Sequence, residues 1–180
     1  MGQPDRSMDR LSSDELDWDA LYANLAPRVY NYFRYRMANN ADAEELTSRT
    51  FERAWRSRAL YRHDLAGFST WLFKIAQNVG IDHRSRHRTH LPLEAASNVA
   101  LDATPELDAE LSSDLARLAR LTARLPDRER ELIALKYGAS LNNRLIAGLT
   151  GLSESNVGTV LHRLVKSLRA QWYGRESAQS

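Results

Sequence analysis

Cysteine is absent from the 180-residue chain, which excludes disulfides and thiolate metal sites and fits a reducing cytosol. An apolar run long enough to span a bilayer is also missing, as is a secretory hydrophobic region, so no direct membrane insertion is expected. The opening MGQPDRS places serine at position 7 instead of 6 and misses the myristoylation pattern. Neither sign of charge dominates: 25 Lys and Arg stand against 23 Asp and Glu, a net of +2, so the placement of charge matters more than its sum. There is no Gly-rich phosphate loop, no G-x-S-x-G elbow and no H-E-x-x-H pair. The carboxylates form no paired acid/base arrangement. These absences argue against an enzyme and leave no expected catalytic residue, cofactor or small-molecule substrate. His83 and His87 are four apart and could share a metal, but no third ligand stands at a helpful spacing, so no metal is expected.

Apolar residues make up 43% of the chain, enough for one medium interior or two small ones. Arg far outnumbers Lys, which suits bidentate contact with phosphate and equally fits a GC-rich genome. Three helices are expected in the N-terminal part. Trp18, Leu21, Tyr22, Leu25, Val29, Tyr32 and Phe33 stripe the first, which ends near Met37. The second opens at Asp42, with Glu44 and Glu45 in its first turn, where the helix dipole favours negative charge. The third covers 68–88, FSTWLFKIAQNVGIDHRSRHR. Its apolar face is Phe68, Trp71, Leu72, Ile75, Ala76 and Val79, and Ser69 is expected to cap its start. Lys74, Gln77, Asn78, Arg84 and Arg88 occupy the other side. A core helix with a solvated outer face has this pattern too. The crowding of Arg and His beside several aromatics points instead to nucleic acid.

From 89 the composition turns acidic and proline-bearing, with Pro92 and Pro105, a stretch read as an interdomain linker. Four helical segments follow. Leu115, Leu118, Leu121 and Leu125 stripe the first until Pro126 stops it, and Asp127 and Glu129 open the second. A short third helix, Gly151, the cap Ser153 and a last helix burying Val157, Leu161, Leu164 and Leu168 read as a helix-turn-helix. An ordinary helical hairpin is the plainer alternative. The expected architecture is all-α: a tail (1–14), a helical domain (15–88), a flexible linker (89–113), a helix-turn-helix domain (114–172) and a short tail (173–180).

ADAEELTSRTFERAWR followed by FSTWLFKIAQNVGIDHRSRHR resembles the second conserved region of bacterial sigma factors of the extracytoplasmic-function (ECF) group. LPDRERELIALKYGASLNNRLIAGLTGLSESNVGTVLHRLVKSLR resembles their fourth. The resemblance implies a cytoplasmic promoter-recognition subunit of RNA polymerase, nucleoid-associated when bound to the enzyme. Its implied partners are the coiled coil of the largest core subunit, the flap region, promoter DNA and an anti-sigma factor. Carried over by position, Asp42, Glu45, Leu46, Ser48 and Arg49 would bind core polymerase, with Leu46 as an apolar anchor beside Glu45. Arg62, His63 and Asp64 would receive a flipped minus-10 base. Trp71, Lys74, Asn78, Arg84 and Arg88 would separate strands and hold phosphates. Ser155, Asn156, Thr159, His162, Arg163 and Lys166 would face the minus-35 element. The chain departs from the family at Ser48 and Arg49, where Gln and Glu are usual, and at Gly158, Thr159 and Val160, where Lys, Ser and Arg are usual. Arg144 and Leu145 stand where acidic residues are common. Gly158 is expected to let the helix approach the DNA backbone, and Gly158→Lys with Val160→Arg to raise DNA affinity. Two other readings remain: a LuxR-type regulator, which shares the helix-turn-helix, and a sigma-like adaptor or decoy that no longer initiates.

Overall fold

The computed structural model describes residues 17–37, 40–89 and 113–174, with backbone only for 87–89 and 113–116. Asp17 starts helix α1 (Trp18–Met37): its carboxylate accepts from the Ala20 N–H at 3.0 Å, satisfying one of the free donors of the first turn. Leu21, Leu25, Val29, Tyr32, Phe33 and Met37 bury one face of α1. Helix α2 (Asn40–Arg56) answers with Ala43, Leu46, Phe51 and Ala54. Thr47 and Thr50 are buried on that face as well; each hydroxyl donates to the carbonyl four residues back, at 2.6 and 2.7 Å, which removes the cost of hiding it. A single 3-10 turn (Arg58–Leu60) leads through an exposed loop to α3 (Phe68–Thr89).

Ser69 does not cap α3. The helix begins at Phe68, and the cap position falls two residues before Ser69, on Gly67, whose carbonyl accepts from the Trp71 N–H at 3.2 Å. Ser69 Oγ is buried without a hydrogen-bond partner, which costs free energy. Edge-on ring contacts run from Trp55 through Trp18 and Phe68 to Tyr61, with centroids 5.1–5.5 Å apart, and Tyr61 lies 5.1 Å from Trp71. That aromatic chain fixes the start of α3 against α1 and the end of α2.

In the C-terminal half, α4 (Ser113–Ala123) is closed by Arg130, which donates to the carbonyls of Ala123 and Leu125 at 2.6 and 2.9 Å. After Pro126, α5 (Asp127–Ile133) runs directly into a π-turn (Ala134–Gly138), in which Ala139 N–H reaches back to the Ala134 carbonyl at 2.8 Å. Helices α6 (Asn143–Thr150) and α7 (Glu154–Tyr173) complete the chain. Ile146, Leu149, Val157, Leu161 and Leu164 pack with Leu132, Ile133 and Leu135 from α5 and the π-turn. The described residues contain no strand, and no described helix is long and apolar enough to cross a membrane.

The two halves, read from the sequence as separate units, meet along one seam. At Gly138 a Cβ would lie 2.8 Å from the Asn31 carbonyl oxygen and 2.9 Å from Tyr32 Cα, so only glycine permits this approach of the π-turn to α1. Around that contact Arg28 Nε donates to the Ala139 carbonyl at 2.8 Å, and the Tyr32 hydroxyl donates to Glu131 Oε1 at 2.9 Å. Residues 90–112, most of the expected linker, lie outside the described residues.

Candidate polymerase and nucleic-acid interface

The outer face of α2 carries Glu45 and Ser48, both exposed, and Arg49, half-buried and paired with Glu45 at 3.2 Å. Asp42 stands 3.7 Å from His83 Nε2 on α3, and Arg53 joins Asp82 at 2.7 Å, so two polar ties hold α2 against α3. His83 thus faces a carboxylate of the neighbouring helix; the side chain of His87 lies outside the described ones. Leu46 corrects an expectation. It is 0% exposed, because a residue one position from Glu45 on a helix turns about 100° away from it. Leu46 belongs to the interior and cannot anchor a partner; of the expected docking residues, Glu45 and Ser48 are exposed and Asp42 and Arg49 partly so.

The loop before α3 presents Arg62, His63 and Asp64 to solvent. Arg62 grips Asp64 through two hydrogen bonds, 2.9 Å from Nε and 2.7 Å from a terminal nitrogen. The guanidinium bond holds the Asp64 carboxyl down to about 2. Leu60 and Leu65 flank the pair at 77% and 74% exposure. On α3 itself Lys74 and Asn78 are exposed and Trp71 is half-buried between Tyr61 and Phe68. Arg84 is on the same polar side but is occupied, bonded to Asp127 of α5. The side chain of Arg88 lies outside the described ones.

The helix-turn-helix is built by three local devices. Asn142 caps α6 by accepting from Leu145 N–H at 2.9 Å, Gly151 turns the chain with φ of 73°, and Ser153 caps α7 by accepting from Asn156 N–H at 3.2 Å. Gly151 takes a left-handed conformation that costs other residues free energy. Ser155, Asn156, Thr159, His162, Arg163 and Lys166 all emerge on the exposed side of α7. Thr159 donates its hydroxyl to the Ser155 carbonyl at 3.0 Å, leaving its oxygen lone pairs outward. Arg163 reaches Glu129 at 3.1 Å while staying 70% exposed. Removing the cap with Ser153→Ala should cost about 1 kcal/mol, read by urea denaturation, with the loss concentrated in α7; an unchanged midpoint would mean the cap contributes nothing.

Gly158 and Val160 also correct expectations. A Cβ on Gly158 would sit 3.4 Å from Asn143 Nδ2, so this glycine lies on the side of α7 that faces the start of α6. Asn143 is held there, accepting from Lys136 Nζ at 2.9 Å. Val160 is partly buried against the core. Placing Lys and Arg at these positions would push charges into the α6–α7 contact, so a gain in DNA affinity is no longer expected from that double change.

Residues that sequence reasoning passed over occupy the seam. Arg36 is 5% exposed and lies 2.7 Å from both Asp127 Oδ1 and Glu131 Oε2. The first contact is a hydrogen bond, whereas Nε toward Glu131 is close enough for an ion pair but not aligned for a hydrogen bond. Burial works against the Arg36 charge, but Glu131, Tyr32 and Asp127 more than compensate and raise its pKa. Burial, reinforced by the Glu131 charge, keeps the Tyr32 phenol protonated far into the alkaline range. Gln77 donates to Glu131 Oε1 at 3.0 Å. A signal did exist: Arg36 falls in the apolar register of α1, four residues after Tyr32.

Residues 21–90 match the family described as Sigma-70 region 2, and residues 115–168 that described as Sigma-70, region 4. The ECF RNA polymerase sigma factor BldN of Streptomyces coelicolor is 31% identical over 167 residues, covering 89% of this chain; the chain spans only 62% of that protein. The ECF RNA polymerase sigma factor SigW of Bacillus subtilis is 30% identical over 149 residues, covering 76% of this chain and 79% of SigW. Among solved structures, the sigma factor RpoE in complex with the anti-sigma factor NepR from Bartonella quintana superposes with a TM-score of 0.63 at 18% identity, over 85% of this chain and 94% of that one. At that identity the likeness is one of fold.

Proposed function

Because the chain belongs to the ECF family of RNA polymerase sigma factors, we propose that it is an alternative sigma factor that binds core polymerase and directs promoter recognition, melting and initiation. The exposed face of α2, with Asp42, Glu45, Ser48 and Arg49, docks on the coiled coil of the largest subunit, and the C-terminal half meets the flap region. The loop 62–64 and the α3 residues Trp71, Lys74, Asn78, Arg84 and Arg88 take the minus-10 element. Unpaired bases stack on aromatic faces while Arg and Lys hold phosphates. The outward row of α7 enters the major groove at the minus-35 element, with Arg163 and Lys166 the strongest candidates for guanine or phosphate contact. An anti-sigma factor is the expected regulator. The chain supplies positioning and strand capture; it needs no cofactor and performs no bond chemistry itself. The observation that carries this reading is the presence of both sigma regions, in order, on one chain. A LuxR-type regulator would not have the first of them.

Run-off transcription with purified core polymerase on a genomic library is the direct test. Discrete transcripts that need the added chain, and that fall several-fold with Arg62→Ala or Lys74→Ala, are expected. A chain that is retained on core yet yields no transcript would be an adaptor or decoy instead.

A further inference from the structure

Helix α5 sends its carboxylates in two directions. Asp127 and Glu131 turn to α1 and α3, where Arg36, Arg84 and Gln77 hold them. Glu129 lies two residues from each, about 200° round the helix, and turns to α7. There its Oε1 accepts from Arg163 Nη2 at 3.1 Å. Both ends of this bond rest on a fixed backbone. Glu129 N–H donates to the Pro126 carbonyl at 3.0 Å, and Leu132 and Ile133 pack in the same core as Leu161 and Leu164. The carboxylate is the sheltered partner, its side chain 25% exposed against 70% for that of Arg163. An ion pair so open to water adds little to stability. What it does is aim the arginine. One Nη2 hydrogen is used, and the Nε and Nη1 donors are left for a ligand. Lys166, the other lysine or arginine of the outward row, has no ion-pair partner among the described residues.

Taking α7 as the helix that reads the minus-35 element, we infer that Glu129 is the positioning residue that makes Arg163 a base-reading arginine. An untethered arginine in a major groove swings between base edges and the nearer phosphates, and phosphates carry no sequence information. Anchored through Nη2, Arg163 projects its remaining donors in one direction. It then gives up less rotamer freedom on meeting the O6 and N7 acceptors of a guanine. The Glu129 charge acts in the same sense. Beside the groove it repels phosphate, which lowers sequence-independent affinity while the matched site keeps its arginine contact. Glu129 itself touches no DNA; it acts on discrimination between base pairs, through Arg163.

The test uses the full chain assembled with core polymerase on a promoter recovered by run-off transcription. The minus-35 element of that promoter is randomised and the transcripts are sequenced. Arg163→Ala first identifies the base pair whose preference depends on this side chain. Glu129→Ala is then expected to lower the preference for guanine at that one base pair on the order of fivefold, with other positions unchanged. Affinity of the same holoenzyme for a duplex with a scrambled minus-35 element, read by anisotropy, should rise about two- to threefold, because a charge that repels phosphate is gone. Glu129→Gln keeps an oxygen that accepts from Arg163. It should hold the base preference while showing the same gain on the scrambled duplex. Adding Glu129→Ala to Arg163→Ala should change nothing further at that base pair. A purely structural role for Glu129 would lower transcription from all sequences alike. That uniform loss, or an unchanged guanine preference in Glu129→Ala, would overturn the inference. The minus-35 reading fails differently: Arg163→Ala would then flatten the preference at no position, whatever stands at residue 129, and the inference falls with it.

Discussion

Replacing Arg36 with methionine should weaken closure of the two halves by about 1–3 kcal/mol, the order of cost of leaving partly buried carboxylates short of one partner. Glu131 is half-buried and would keep only Tyr32 and Gln77, while Asp127 would keep only Arg84. Each half should remain helical, since Arg36 makes its ion pairs across the seam and not within its own domain. Circular dichroism should therefore stay near parental while energy transfer between dyes on α1 and α7 falls. Replacing the set together, with Tyr32→Phe, Arg36→Met and Glu131→Leu, should recover much of the loss, because an apolar cluster of similar volume needs no paired charge. If the single change leaves closure intact, Arg36 is not what holds the seam. Acid should act in the same direction. Partial burial works to raise the Asp127 carboxyl, but the bonds from Arg84 and Arg36 prevail and hold it below its ordinary value near 3.8. A depressed carboxylate stabilises the closed form above that ordinary value and loses its contribution as pH falls through the lowered one. Closure followed by energy transfer should hold between pH 5 and pH 7, about one unit and more above the ordinary carboxylate range, and weaken below it.

Leu46→Ala is the second large effect, and it falls on folding. Leu46 is fully buried between α1 and α3 with Val29, Phe33 and Leu72 among the same interior cluster. Truncating a core leucine costs about 2–5 kcal/mol, depending on how far the cavity relaxes. A surface leucine would cost within about 0.5 kcal/mol, so urea denaturation separates the two situations cleanly. Loss of core-polymerase binding by this variant would report unfolding and says nothing about the docking face. Glu45→Arg is the cleaner probe of docking, because Glu45 is exposed and pairs only across one helical turn with Arg49; it should reduce retention on core enzyme with little change in the denaturation midpoint. A midpoint unchanged by Leu46→Ala would contradict the packing of α2.

Periodicity located the helices of this chain because each buries one stripe, and a stripe repeating every three or four residues is visible without a structure. The turn chemistry was equally local: Gly151 and Ser153 act on neighbours within four residues, so their roles could be read directly. The two sigma regions were legible for the same reason, as short contiguous motifs. Helix rotation was less so. Leu46, Gly158 and Val160 sit on the edges of stripes, and a resemblance that places a residue in a functional helix does not say which way it faces; only packing against α1, α3 and α6 decided that. Ser69 shows the same limit at a helix start, where a shift of two residues, putting the cap at Gly67, left a buried hydroxyl in its place. The seam was beyond reach altogether. Arg36 is separated from Asp127 by 91 residues, Gln77 from Glu131 by 54 and Arg84 from Asp127 by 43. No local pattern encodes such pairs. They form because the π-turn after α5 brings Gly138 against the α1 backbone and carries the carboxylates of α5 to the arginines, and that contact exists only once both halves have folded.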